Sequence, residues 1–137
     1  MAEAPDRAAS RAISEPRLRV EALATEGDAP RWTVRWRIAN AGDAAVRIVA
    51  ALQPHSGFRG AERSLDLVVE GGDVTELALP VAFAGALVEN AFVILSVAAG
   101  DERWRVLVRA RVVPGERGEP RPLTTRITTQ PVGSAAR

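Results

Sequence analysis

The sequence predicts an all-β fold, an antiparallel sandwich of about seven strands, from three observations. In residues 31–52, apolar and polar side chains alternate along two segments that the turn residues 40–43 separate. Alternation with a period of two is the pattern of a half-buried strand. Similar short segments recur down the chain with turn residues between them, which favours a sandwich over βαβ units. A chain of 137 residues, 47% of them hydrophobic, has the size of one domain with one core.

The N-terminal half begins with residues 1–16, which show no strand pattern and are expected to form a disordered arm. The first strand is predicted at 17–24 and the second at 32–39, where two tryptophans lie on the inner face. The third strand, 45–53, contains β-branched residues and ends before a proline. The second and third of these strands supply seven residues of the predicted core.

The turn at residues 40–43 permits two connections between the second and third strands. A hairpin and a crossing from one sheet to the other both leave Ile38 and Val46 facing inward, so the alternation does not choose between them. Within the turn, Asn40 is expected to bond local backbone and Gly42 to supply a positive φ.

The later strands are predicted at 64–70, 74–83, 91–99 and 103–113. The last two are separated by Gly100-Asp101, a two-residue loop with glycine first, which suits a type II′ hairpin turn. Directly opposed residues of a hairpin face the same way. The register that satisfies this rule pairs Val97 with Trp104. It also keeps every apolar pair farther from the turn on the inner face.

The fourth and fifth predicted strands flank Gly71-Gly72-Asp73. A two-residue loop here would mix the two faces of the strands. A three-residue loop at 71–73, with a glycine in the left-handed conformation, sets Leu67 opposite Leu77. The sequence therefore predicts a second hairpin with a three-residue loop.

Residues 114–137 form a Pro/Gly-rich C-terminal tail after the sandwich of residues 17–113. Within this tail, residues 123–129 fit an eighth edge strand, whereas the Pro and Gly content fits a mobile segment equally. The inward residues of the seven strands form the predicted core: Trp32, Val34, Trp36, Ile38, Val46, Ile48, Leu52, Leu65, Leu67, Leu77, Leu79, Val93, Leu95, Val97, Trp104, Val106 and Val108.

Composition argues against several classes of function. Lys+Arg (18) and Asp+Glu (17) nearly balance, which argues against a general polyanion binder, and every basic residue is an arginine. Because the chain has no cysteine, disulfides and thiolate metal sites are excluded. The first residues lack the apolar run of a secretory signal, and no stretch is long enough to span a bilayer. We therefore expect a cytoplasmic protein without membrane contact.

Patterns for catalysis are weak. The single histidine, His55, stands next to Ser56, and adjacent residues rarely form a nucleophile–base pair. The carboxylates of Asp66, Glu70 and Glu76 are expected on one outer face, where arginines of the first two strands neutralise them. Neither metal-ligand spacing nor a phosphate-binding loop occurs. We expect no enzyme activity, no metal and no other cofactor.

A candidate interface follows if the third, sixth and seventh strands share a sheet. Their outward residues then make an apolar centre with an arginine rim, the composition of a protein interface. The predicted interface residues are Arg47, Val49, Phe92, Ile94, Arg105, Leu107, Arg109 and Arg111, with Ala51 and Ser96 beside them. Two other interpretations stay open: the tail covers this face with Leu123, Ile127 and Val132, or the apolar residues there are scattered without meaning.

The second strand also carries a short family pattern. Its alternating Val34, Trp36 and Ile38 run into Asn-Ala-Gly at residues 40–42. In this the chain resembles bacterial immunoglobulin-like or fibronectin-III-like sandwiches of the CARDB kind over about residues 17–113. It differs from immunoglobulin domains in having neither the cysteine pair nor any tyrosine. The resemblance implies an immunoglobulin-like sandwich and an adhesive or accessory role, and no functional residues carry over.

Three functions are compatible with these features. The first is a non-catalytic protein-interaction or structural module, with a protein partner or a homodimer formed through the arginine-rimmed face. The second is an intracellular inhibitor or regulator that presents residues 55–63 to an enzyme. A weak nucleic-acid or anion binder is a minor third, because the rimmed face carries a single aromatic residue, Phe92, for base stacking.

Overall fold

A computed structural model describes residues 15–132 of the chain, and strands account for nearly all of the regular structure there. The strands are β1 (Leu18–Asp28), β2 (Arg31–Asn40), β3 (Val46–Gln53), β4 (Gly60–Val69), β5 (Val74–Ala82), β6 (Val88–Ala99), β7 (Glu102–Pro114) and β8 (Pro120–Val132). The predicted arm lies outside the described residues up to position 14, and Pro16 at its end is buried. The last five residues of the predicted tail also lie outside them.

Two antiparallel sheets pack face to face, with strand orders β1-β2-β5 and β4-β3-β6-β7-β8. This arrangement confirms the predicted all-β antiparallel sandwich. The chain crosses between the sheets from β2 to β3, so the turn that alternation left open is a crossing and not a hairpin. In constant-type immunoglobulin domains the fourth strand pairs in the first sheet, whereas here β4 pairs with β3 in the second sheet.

The core lies between the sheets and is built from their inward-facing residues. Trp32 and Trp36 on β2 are about as fully buried as the valines and leucines of β6 and β7. Most of the predicted core is confirmed, but Leu65 and Leu67 on β4 are only partly buried. The structure adds Phe58, which is fully buried although it precedes β4 in a loop.

The β6–β7 hairpin has the predicted register. Val97 pairs with Trp104, Leu95 with Val106 and Ala91 with Ala110. Gly100 has a φ of 61°, and no residue other than glycine has a positive φ among those described. A type I′ turn would need a positive φ at the second loop residue as well, so the turn is of type II′. The prediction for this hairpin is confirmed.

The predicted β4–β5 hairpin is wrong. The first of these strands pairs with β3 and the second with β2, in different sheets. Residues 70–73 form a tight turn that carries the chain across, closed by the Asp73 N–H donating to the Glu70 carbonyl at 3.0 Å. Leu67 and Leu77 do both face inward, but from opposite sheets. Alternation shows which residues face the core, and it does not show which strands pair.

A β-bulge in β3 overturns a second expectation. The strand pairs Ile48 with Val97 and then Ala50 with Ser96, so Val49 is an extra residue. An inserted residue shifts every following side chain to the other face. As a result Ala51 is buried, with 2% of its surface exposed, and Leu52 is half-buried outside the core. The sequence predicted the reverse, because strict alternation makes no allowance for an inserted residue.

Asn40 connects the two turns that cross between the sheets. Its side chain is 2% exposed, and its Nδ2 donates to the carbonyls of Ala44 and Val69, each at 2.9 Å. Its Oδ1 accepts from the Gly42 N–H at 3.0 Å, which confirms the predicted local bond. Gly42 does not have the positive φ expected of it, because the Asn40 side chain holds the turn without a left-handed residue.

The tail extends the second sheet as β8, which pairs along β7. Ile127 packs against the core, whereas Leu123 is 57% exposed. The described part of the tail therefore lies beside the predicted arginine-rimmed interface and does not cover it. Two threonine hydroxyls join β8 to β1 across the side of the sandwich: Thr124 donates to the Val20 carbonyl at 2.7 Å and Thr25 to the Pro120 carbonyl at 2.8 Å.

Candidate functional site

The outer face of the five-stranded sheet brings most of the predicted interface residues together. We call it the arginine face. Across its middle runs a row of directly opposed residues, Leu52 on β3, Ile94 on β6 and Leu107 on β7. Phe92 lies in the next row, opposite Arg109. These four apolar side chains are all half-buried, so they form a continuous apolar stripe that solvent still reaches.

Val49 and Leu52 do not occupy the positions that the sequence predicted for them. Val49 was predicted at the interface and occupies the bulge position, whereas Leu52 was predicted in the core and lies opposite Ile94. No local sequence feature marks this bulge, since β3 contains neither glycine nor proline. The apolar stripe therefore survives with a different residue from β3.

Arginines surround the stripe on the remaining strands. Arg103, Arg105, Arg109 and Arg111 alternate along β7 and are all exposed. On β8, Arg126 stands directly opposite Arg109, so two like charges are neighbours in one row. The sequence did not place Arg126 here, because it left the pairing of the tail open.

Only part of this positive charge is neutralised. Arg47 pairs with Asp66, and the Nε of Arg111 lies 3.3 Å from a Glu89 carboxylate oxygen. Arg109 donates from its Nε to the Asn90 side-chain oxygen at 2.9 Å, which is a bond to a neutral group. Within residues 15–132, no ion pair engages Arg105 or Arg126. The arginine face therefore carries an excess of positive charge next to apolar surface.

The outer face of the three-stranded sheet differs in its charges. Arg37 on β2 stands between Glu21 on β1 and Glu76 on β5, and the Arg35 guanidinium lies 3.1 Å from the Glu76 carboxylate. Asp66 does not belong to this face, contrary to expectation, because β4 lies in the other sheet. Glu70 lies in the crossing turn. The three predicted carboxylates are thus separated, and each of the two on strands meets its own arginine.

The loop predicted at residues 55–63 is shorter in the structure, because β4 begins at Gly60, and residues 54–59 are pinned to the sandwich. The Phe58 N–H donates to the His55 carbonyl at 3.0 Å, and the Phe58 side chain is fully buried. The His55 Nδ1 accepts from the Gly57 N–H at 2.9 Å, so the imidazole is occupied with its own turn. The His, Asp and Glu side chains of the described residues form no group of three or more placed to hold a metal ion.

The turn between β7 and β8 holds the one carboxylate among the described residues with a clear pKa shift. Hydrogen bonds from the backbone N–H groups of Glu119 and Arg117 lower the pKa of the Glu119 carboxyl below its ordinary value. Desolvation opposes them with a smaller effect, and the charges of Arg117 and Arg121 each lower the pKa by less still. The Arg117 guanidinium in turn lies 5.5 Å from the ring centre of Trp32 and closes that end of the sandwich.

Comparison with known proteins identifies no relative of this chain. The chain matches no protein-family model, and no curated protein is similar to it in sequence. Residues 15–132 contain no helix with the length and apolar character needed to cross a bilayer. The functional argument therefore depends on the geometry and charge of the surfaces described above.

Proposed function

We propose that this protein is a non-catalytic interaction module that binds an acidic protein partner through the arginine face. The observation that carries the proposal is the apolar row Leu52–Ile94–Leu107, bordered by arginines of which Arg105 and Arg126 have no carboxylate partner among residues 15–132. Apolar centres with polar, arginine-containing rims are typical of protein interfaces. A partner with an apolar anchor and surrounding carboxylates complements both features.

Charge favours a different protein over a second copy of this chain. A twofold dimer formed through the arginine face would place the same surface on both sides. Arginine would then meet arginine, and like charges brought together across an interface cost several kcal/mol. Acidic groups on a partner would instead supply the missing partners of Arg105 and Arg126, and would speed association at low ionic strength.

Nucleic acid fits the same face less well. Phosphates would pair with the arginines, but the apolar row would remain in contact with water. Base stacking would depend on Phe92, which is half-buried and lies beside Arg109. An acidic protein satisfies the arginines and the apolar row together.

The test is affinity capture from the source organism with the wild type, Leu107→Asp and Ala78→Asp. The first substitution puts a carboxylate into the apolar row, and the second adds the same charge to the exposed outer face of the three-stranded sheet, opposite Arg35. We expect an acidic protein that the wild type and Ala78→Asp retain and Leu107→Asp loses, with binding weakened at least tenfold. Binding of the purified pair should also weaken as salt is added.

Three results would overturn the proposal. One is a captured partner that Leu107→Asp and Ala78→Asp bind equally well. Another is capture that nuclease treatment abolishes, which would indicate nucleic acid. The third is a wild-type dimer in light scattering that Leu107→Asp converts to a monomer, which would show that the face binds a second copy. Peptides enriched from a displayed library give an independent measurement, and they should combine a large apolar residue with Asp or Glu.

A further inference from the structure

A second group of arginines lies outside the arginine face, near the start of β2, the start of β4 and the end of β5. Arg31 on β2 is directly opposite Ala82 on β5, and Ala82 forms a bridge with Arg59 on its other side. Directly opposed residues in neighbouring strands point the same way. Arg31 and Arg59 therefore flank the small side chain of Ala82 on the outer surface.

The backbone around this row is held firmly. The Arg59 N–H donates to the Ala82 carbonyl at 3.1 Å, and the Ala82 N–H donates back to the Arg59 carbonyl at 2.8 Å. The residues next to this pair, Phe58 and Phe83, are buried in the core. The two arginines thus extend from a fixed base, which reduces the entropy lost when a ligand is bound.

An open cleft of about 490 Å³ lies between these side chains, and we call it the Ala82 cleft. It is lined by Arg31, Arg59, Gly60, Ala61, Arg63, Pro80, Val81 and Ala82. The lining thus combines arginines with small or apolar residues and contains no carboxylate. Asp28 stands opposite Arg31 in the same row, but on the side away from Ala82.

The floor of the cleft has no room for a larger side chain. A Cβ at Gly60 would approach the Pro80 carbonyl to 2.7 Å and would also collide with the Gln53 amide. Gln53 is 2% exposed, and its Nε2 donates to that same carbonyl at 3.0 Å. A buried amide therefore fixes the floor, and glycine lets the backbone pass closely over it.

None of the three arginines in the cleft has an ion pair within residues 15–132, although all three are exposed. Opposed Cβ atoms of adjacent strands lie about 5 Å apart, so Arg31 and Arg59 start roughly 10 Å apart across Ala82. Two arginine side chains span that distance and can meet on one anion. Arginine binds phosphate oxygens with paired N–H donors, and a group with two negative charges gains most from several arginines.

We propose that the Ala82 cleft binds a phosphate group, held between Arg31 and Arg59 with Arg63 at its side. The group belongs either to a phosphorylated side chain of a protein or to a small phosphorylated compound, which share this chemistry. The proposal does not depend on the arginine face, because the cleft includes none of the residues of that face.

Titration of the ¹⁵N-labelled protein with pyrophosphate, followed by backbone amide shifts, tests the proposal. We expect saturable shifts at Arg59, Gly60 and Ala82, and a dissociation constant that rises about tenfold in Arg59→Gln and in Arg31→Gln. Arg19→Gln is the matched control, since it removes one exposed arginine that has no ion pair within residues 15–132 and lies outside both the cleft and the arginine face. Its affinity should equal that of the wild type, and the amide spectra show whether each variant is folded.

Two outcomes would overturn the proposal: the absence of saturable binding, or an equal loss of affinity in Arg19→Gln. A second titration, with a phosphoserine peptide and its unphosphorylated form, separates the two sources of phosphate. Tighter binding of the phosphopeptide than of pyrophosphate indicates a phosphorylated protein, and the reverse indicates a small compound. Equal binding of the two peptides would also contradict a phosphate site.

Discussion

The two outer faces of this sandwich are both rich in arginine, yet they differ in what stands opposite each arginine. On the three-stranded sheet, one row reads Glu21, Arg37, Glu76. On the five-stranded sheet, a row of directly opposed residues reads Phe92, Arg109, Arg126. In the first row the arginine has a carboxylate directly opposite it on each side, and in the second row neither arginine stands opposite one. A count of charges over the whole chain hides this difference, because the excess on one face is offset by carboxylates elsewhere.

The largest change in the free energy of unfolding is expected at the β3 bulge, which determines whether Ala51 or Leu52 lies on the arginine face. Ala51→Asp places an unpaired carboxylate in the core and should lower the free energy of unfolding by about 4 kcal/mol. Leu52→Asp places the same group on the outer face and should cost about 1 kcal/mol. Urea unfolding of both variants measures the difference. A larger loss for Leu52→Asp would mean that β3 runs without the bulge.

Reversing one charge in each row is expected to change the free energy of unfolding by a smaller amount. The change should have opposite signs on the two faces. Arg126→Glu replaces a like-charge neighbour of Arg109 with an ion pair and should stabilise the fold by about 0.5 kcal/mol. Arg37→Glu puts three carboxylates in one row and should destabilise it by a similar amount. Thermal unfolding at low salt measures both changes. The two shifts should shrink together in concentrated salt, and shifts of the same sign would contradict the comparison.

These expectations also show which parts of the molecule the sequence could predict. The β6–β7 register follows from Gly100-Asp101, because a two-residue turn determines both the pairing and the facing of its strands. That register alone predicts that Phe92, Ile94, Leu107 and the β7 arginines lie on one face. The position of Leu52 was not predictable, because the bulge is set by pairing with both neighbouring strands.

The wrong β4–β5 hairpin has a different cause. The residues on both sides of Gly71-Gly72 alternate correctly for a hairpin and equally for strands in facing sheets. What selects the crossing is tertiary: the Gly72 N–H donates to the Asn40 carbonyl at 2.8 Å. A Cβ at Gly71 would also collide with the Asp43 carbonyl of the other crossing turn. Contacts between distant turns leave no periodic signal in the sequence.

The smallest effect concerns Glu119, in the turn that joins β7 and β8 within the five-stranded sheet. Its pKa is lowered in the folded state, so its contribution to stability is present above the unfolded-state pKa and is lost as the pH falls through the folded-state pKa. The wild type should therefore be more stable than Glu119→Gln near neutrality, and the two should converge in acid. Urea unfolding of the wild type and of Glu119→Gln, near neutral pH and in acid, measures this difference in stability. Glu116→Gln removes a charge from the same turn, and a similar convergence in that control would assign the effect to net charge instead.

Asn40 has a consequence for how this end of the sandwich opens. Its side chain and backbone bind both crossing turns, through Gly42 and Ala44 on one hand and Val69, Gly72 and Asp73 on the other. Neither turn can detach while the other keeps all of its bonds. The amides of Gly42 and Gly72, 30 positions apart in the chain, should therefore exchange with deuterium in a single cooperative opening. Asn40→Ala should divide that opening into two independent ones, so that one buried amide makes two distant turns behave as a single unit.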